Sequence, residues 1–299
     1  MIKYKESLPG LIERRVYEGD DRFKDLENNA PGSSACFDGV LLHRLGATQQ
    51  DAEWQKLRRT EIAEAAQAGA VVIVPMGAIE QHGPHLPVNT DINTSTEIAL
   101  RAAQAATAVR VLVAPPIWWG LSPYHMVYPG TLTLELETLT SLVVDVCKSL
   151  AAHGFKKILL LNGHGGNENF INTISIKLSQ LEIFILPISY WNLIPEEIKQ
   201  LAEDDGGRII DHAGDIETSI SLYLQPERVD RSYIRPGIGT PLTQSMRPPW
   251  RYTVPRLKKE TSEGIYGLTA KANMAKGEKV VNAAATQLLS VLQEYAKSE

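Results

Sequence analysis

Four short apolar runs, separated by helix-length segments, constrain this chain more than any other feature. Val71–Val–Ile–Val74 is wholly apolar and ends at Pro75, and runs at Val109–Ala114, Lys157–Leu161 and Ile183–Ile188 repeat the theme. Runs this short, without polar alternation, are what strands buried on both faces look like. Between them lie stretches with helical period: 55–69, with Ile62, Ala65 and Ala66 on one stripe, then Ile92–Ala106, Glu135–His153 and Asn169–Gln180. Strand and helix in alternation predict a three-layer α/β/α fold around a mostly parallel sheet. A further helix is expected after His212, and a long amphipathic one at about 272–296.

The rest of the chain is organised around that core. Residues 1–53 are charged and turn-rich and show no sustained period; they read as an arm or extension, with a single domain over 54–299. The segment 232–268 is rich in Pro, Gly and aromatics and is expected to be a long structured loop near the site or at a subunit contact. The formal net charge of -5, with no basic cluster, argues against nucleic acid as a partner. Cys36 and Cys147 stand far apart and make neither a disulfide framework nor a Cys-rich zinc site. The N-terminal Met1–Ile–Lys–Tyr–Lys–Glu6 has no apolar stretch, and no run reaches membrane-spanning length, so a cytoplasmic protein is expected.

The chemistry-bearing residues follow the strands. After the first comes Gly77–Ala–Ile–Glu80–Gln–His82–Gly–Pro–His85, with Asp91 soon after; after the third comes Asn162–Gly–His164–Gly165–Gly166–Asn167. Ligands of open parallel sheets bind at the carboxyl ends of the strands, so these two loops bring Glu80, His82, Asp91 and His164 toward one place. Imidazole and carboxylate without thiolate suit a reactive divalent metal better than a structural zinc. Glu80 and His82, two apart, point to one side if extended. Asp91 is placed either to bridge two cations or to cap the helix that follows; its company favours bridging. The glycines beside His164 also suggest a phosphate cradle, but the spacing and the Lys of a P-loop are missing.

A third cluster, Asp211–His212–Ala–Gly–Asp215–Ile–Glu217, opens a helix. His212 could carry protons there, tuned by the carboxylates beside it, and Glu217 could reach a metal; helix-start capping explains the same carboxylates. Between the second strand and the next helix lie Trp118, Trp119, Ser122, Tyr124, His125 and Tyr128, and Tyr190–Trp191 follows the fourth strand. Aromatics at strand ends suit a small-molecule pocket or, equally, a core or an interface. His43 and His153 lack such company.

Three of these segments together resemble the motif series of the creatininase family: Glu80–Gln–His–Gly–Pro–His–Leu–Pro with Asp91, Asn162–Gly–His–Gly–Gly–Asn167, and His212–Ala–Gly–x–x–Glu217–Thr218. Pro129–Gly–Thr131 and Tyr190–Trp191 match as well, and the resemblance covers about 55–225. It implies two divalent ions, zinc, manganese or iron: one held by Glu80 and His164, the other by His82, with Asp91 bridging. It further implies His212 as the catalytic histidine, Trp191 as a residue that closes over substrate, and a homo-oligomer, a hexamer in the family. In creatininase proper, Tyr and Glu follow the motif histidine, and that Glu completes the second metal site. Here Gly165 and Gly166 stand there, a form shared by relatives that deformylate pyrimidine intermediates or open cyclic sugar ketones. Glu217 is therefore the candidate to complete the second site, and creatinine is not the expected substrate.

The function expected is hydrolysis of a small cyclic amide, formamide or related cyclic carbonyl compound by a hydroxide bridging the two ions, with Ser122, Tyr124, His125, Gly165 and Trp191 toward the substrate. A cyclic sugar ketone hydrolase, a non-catalytic metal-binding scaffold and a nucleotide-binding protein are the rivals. Neither nucleic acid nor a membrane is an expected partner.

Overall fold

The structure, a computed structural model, describes residues 52–203, 212–235, 261 and 263–298. Strands β1 (Val71–Met76), β2 (Val111–Val113), β3 (Lys157–Asn162) and β4 (Ile185–Ser189) pair in parallel in the order β2-β1-β3-β4. Seven α-helices are described: α1 (Arg59–Gln67), α2 (Thr90–Ala105), α3 (Leu136–Ala152), α4 (Glu168–Ser179), α5 (Pro195–Glu203), α6 (Asp215–Leu224) and α7 (Met274–Lys297).

Side chains alternating along a strand explain why the runs are apolar throughout. Val71, Ile73, Leu159 and Leu161 face one side, onto Ile98 and Ala102 of α2 and Val280 and Ala284 of α7. Val72, Val74, Ile158 and Leu160 face the other, onto Val143 and Cys147 of α3 and Ile174 of α4. Each such aliphatic side chain contributes about 1.5–3 kcal/mol on burial, so both faces must be covered and the three-layer arrangement follows. Cys147 is part of this packing, and burial pushes its thiol up to about 12.

The boundaries differ from expectation in instructive places. β1 runs through Pro75 to Met76. β2 stops opposite Ile73, so the missing N–H of Pro75 lies beyond the end of its neighbour, while its carbonyl still accepts from Ile117. Helix α1 starts at Arg59, not 55, where the Glu61 carboxylate reaches back to accept from the Arg58 N–H. Helix α5 was not expected; its signal was Pro195 at the first helical position. The proposed arm lies, except for Ala52 and Glu53, outside the described residues, as do 236–260 and 262 of the expected loop. No described helix is long and apolar enough to cross a membrane.

Candidate metal centre

From β1 the chain crosses to β2 on one side, whereas β3 lies on the other, so strand order reverses between β1 and β3. Crevices at such reversals, beyond the carboxyl ends of the strands, take ligands. Met76 and Asn162 are in register there, and the Gly163 N–H donates to the Met76 carbonyl at 2.9 Å. A Cβ on Gly163 would run into the Asp91 carbonyl, so only glycine lets the first turn of α2 press against the loop after β3. That close approach builds the site.

Two asparagines hold the loops. Asn162 accepts from the His164 N–H at 3.0 Å and donates to the His164 carbonyl at 2.8 Å, clamping that residue's backbone from one side chain. Asn167 accepts from Leu121 N–H at 3.1 Å and donates to the Gly77 carbonyl at 3.0 Å, tying the loop after β2 to the end of β1.

Asp91 lies inside the first turn of α2, while the N-cap is Asn89. Its carboxylate does not cap. Oδ1 is 3.1 Å from His82 Nε2 and Oδ2 is 2.9 Å from His164 Nδ1. Glu80 is fully buried, with Oε1 3.0 Å from His125 Nε2 and 3.3 Å from His212 Nδ1, and Oε2 3.4 Å from His164 Nε2. Glu217 Oε2 is 3.5 Å from His82 Nε2 and accepts from the Ala213 N–H at 2.6 Å, so it both buttresses the helix start and faces the cluster. Ala213 takes a left-handed φ of 55° to make that possible. Three sets bring one ligand atom each within 4.8 Å of one another: Glu80–His82–Asp91, His82–His212–Glu217 and Glu80–His125–His212.

The electrostatics fit a cation. Neither Glu80 oxygen, nor Asp91 Oδ2, accepts a well-formed hydrogen bond, although all three are buried. Uncompensated buried carboxylate is costly, by several kcal/mol per ion, and a divalent cation removes the penalty. The imidazoles supply the balancing charge in its place. Burial disfavours a charged His82, yet Asp91 and Glu217 raise it to about 10; against the same burial, Glu80 and Asp91 raise His164 to about 9. Burial works to raise Glu80 and Asp91, but the surrounding histidines win and hold both carboxyls low. Glu217, with burial dominant, is raised to about 7.

His212 differs. Burial and the neighbouring His125, His82 and His164 hold it well below the ordinary value, so it is neutral. Its ring lies between His82 and His125, with centroids 4.4 and 4.3 Å away, and its backbone pairs with Tyr266. Asp215, expected beside it, is turned to an ion pair with Lys276, and Asp211 lies outside the described residues.

Of the residues placed toward the substrate, Ser122 Oγ is 3.1 Å from His164 Nε2. His125 is drawn into the carboxylate cluster itself. Tyr124 fills the space beside Gly166: a Cβ there would lie 2.6 Å from Tyr124 Oη and nearer still to His164 Nε2 and the Leu121 carbonyl. Gly165 is exposed, with nothing within 4 Å of where a Cβ would stand. Trp191 is buried in the core on the α2–α7 face, and its indole N–H donates to Glu168 at 3.3 Å. Among the described residues no contact joins it to the cluster. Gln81 was missed, although its place between Glu80 and His82 was a signal; it is buried and touches both His125 and His212.

Residues 55–292 match the family described as creatininase, creatinine amidohydrolase. Over 183 residues the chain is 35% identical to a creatinine amidohydrolase of Pseudomonas putida, covering 56% of this chain and 69% of that one. It is 33% identical over 182 residues to a 3-dehydro-scyllo-inosose hydrolase of Thermotoga maritima, covering 58% and 56% of the two chains. It is 31% identical over 218 residues to a mycofactocin precursor peptide peptidase of Mycolicibacterium smegmatis, covering 70% and 79%. A crystal structure of creatininase superposes with a TM-score of 0.71 at 27% identity, over 84% of this chain and all of that one. A manganese form of creatininase superposes with a TM-score of 0.70 at 27% identity, over 83% of this chain and all of that one.

Proposed function

The chain belongs to the creatininase family of hydrolases, and from that premise we propose that it hydrolyses a small cyclic amide, formamide or related cyclic carbonyl compound with two divalent ions, zinc, manganese or iron, bound at the cluster. One observation carries this reading: Asp91 sets one carboxylate oxygen against His82 and the other against His164. A carboxylate so placed suits the bridge of a cation pair. Glu80 and His164 would hold one ion and His82 the other, with Glu217, 3.5 Å from His82, completing the second site. The space at Gly166 is taken by Tyr124, which supports Glu217 in that role.

Bound cations supply acidified water near neutral pH and polarise a carbonyl oxygen. The chain's own groups do the rest. Neutral His212 turns Nδ1 toward the pocket, 3.3 Å from Glu80 Oε1. His212 would take a proton from the attacking water and pass it to the leaving nitrogen, so that water adds across the C–N bond. Ser122, 3.1 Å from His164, and His125, 3.0 Å from Glu80, would face the substrate together with Tyr124 and Gly165; Trp191 would join them only by moving out of the core.

The likeness to a hydrolase of 3-dehydro-scyllo-inosose favours a second reading, cleavage of a cyclic ketone at a C–C bond, at the same cluster. Self-association is also proposed, since Trp118, Trp119, Met126, Val127 and Leu132 on the loop after β2, and Leu136 at the start of α3, are all exposed. Metal analysis of the purified protein, with a screen of cyclic amides, formamides and cyclic ketones before and after chelation, tests the proposal. Turnover that survives complete metal removal would overturn it.

A further inference from the structure

We propose that Gln81 is a positioning residue that fixes the tautomer of His125, making that histidine a proton donor to the pocket and not a cation ligand. The inference deepens the hydrolase reading, because it decides which imidazoles hold the ions.

The orientation of the Gln81 amide is set by two backbone groups of fixed polarity. Oε1 accepts from the Gly83 N–H at 3.0 Å, and Nε2 donates to the Gly264 carbonyl at 3.0 Å. Turning the amide over would set N–H against N–H and oxygen against oxygen. The amide nitrogen therefore faces His125 Nδ1, 2.8 Å away. An amide nitrogen donates and does not accept, so Nδ1 must be the acceptor and the ring proton sits on Nε2. Nε2 is 3.0 Å from Glu80 Oε1. The approach of Gln81 Nε2 to His212 Nε2 is longer, 3.1 Å, and the amide's two hydrogens are already placed.

Gln81 also holds the main chain of His125. Its N–H donates to Thr131 Oγ1 at 3.0 Å, and that hydroxyl reaches the His125 carbonyl at 3.4 Å. One residue thus positions both the backbone and the ring.

His82 and His164 have the opposite arrangement. His82 Nδ1 donates to the Glu80 carbonyl at 2.9 Å, which leaves Nε2 to face Asp91. His164 Nε2 lies 3.2 Å from the Leu121 carbonyl and 3.4 Å from Glu80 Oε2, while Nδ1 faces Asp91. A carbonyl can only accept, so each ring's outer nitrogen keeps its hydrogen and the pocket-side nitrogen is the one free to bind metal. For His125 the outer partner is a donor, and the polarity reverses. Of the sets close enough to hold an ion, Glu80–His125–His212 therefore lacks one lone pair, and Glu80–His82–Asp91 does not.

Nitrogen-15 NMR of metal-free protein labelled at histidine tests this without any turnover, the His125 signal being identified by its loss in H125Q. The wild type should show His125 protonated on Nε2. Q81E, whose carboxylate can accept, should move the proton to Nδ1, and Q81M should populate both forms. With Nε2 released as a ligand, Q81E should bind zinc at least tenfold more tightly than wild type. Wild-type His125 protonated on Nδ1, a Q81M spectrum like wild type, or a Q81E tautomer change with unaltered zinc affinity would overturn the inference. The wild-type spectrum alone decides if either variant fails to fold. A wild-type protein with the stated tautomer but no hydrolysis would refute the hydrolase reading and leave the role of Gln81 intact.

Discussion

Asp91 Oδ2 stands 2.9 Å from His164 Nδ1, joining the first turn of α2 to the loop after β3. The contact ties together the two segments whose separate motifs converge on the site, and it sets what loss of Asp91 would do. Asp91→Asn keeps the size of the side chain and removes its charge. Zinc affinity is expected to fall by more than about 100-fold, with activity lost in parallel, as befits a ligand rather than a supporting residue. Calorimetric titration of zinc checks this; unchanged affinity would exclude Asp91 from the metal centre.

His212→Ala should separate binding from chemistry. On the proposed mechanism the ring carries a proton and holds no ion, so bound metal should match wild type while kcat drops about 10²–10⁴-fold. Metal content and steady-state rates on the substrate found by screening are the measurements. A normal kcat would remove the proton-carrier role.

Metal binding should strengthen as pH rises. Without a cation His82 and His164 are raised to about 10 and about 9, so both carry protons at neutral pH. A cation takes the nitrogen that the proton holds, so the loaded form binds fewer protons and lowering the proton concentration favours loading. Zinc affinity should therefore climb between about pH 6 and pH 9, by up to about two decades per pH unit if both protons leave. Titrations across that range, with proton release measured in two buffers, report it, and a flat profile would contradict it.

The paired glycines after His164 should respond in opposite ways to a methyl group. Gly165→Ala meets nothing within 4 Å and should leave stability unchanged within about 0.5 kcal/mol. Gly166→Ala presses on His164, the Leu121 carbonyl and Tyr124, and should cost about 1–3 kcal/mol. Denaturant midpoints of the two variants decide; equal stability would mean that Tyr124 and the Leu121 loop yield freely.

Much of this protein was legible in order along the chain. The four strands, their parallel pairing and the helices between them followed from local periodicity, because burial on two faces leaves its mark on every residue of runs such as Val71–Val74 and Ile158–Leu161. The motif residues Glu80, His82, Asp91 and His164 were also visible, since imidazoles and carboxylates in the loops after two strands of a parallel sheet point to one site.

What the sequence left undecided depended on contacts between segments distant along the chain. Asp91 taken alone reads equally as a helix cap or a ligand, and only its company in the motifs favours the ligand; the fold brings His164 within 2.9 Å of it. His125 reads as a pocket residue until Glu80 is seen beside its Nε2, and the polarity of that contact rests on Gln81, whose amide is oriented by the backbone of Gly264. Trp191, which the resemblance implies closes over substrate, reads from sequence as pocket, core or interface, and it packs in the core. Local pattern determines which elements form, because it is set by neighbours three or four residues away. Which nitrogen carries a proton is set by whatever group the fold brings within 3 Å, and no periodicity records it.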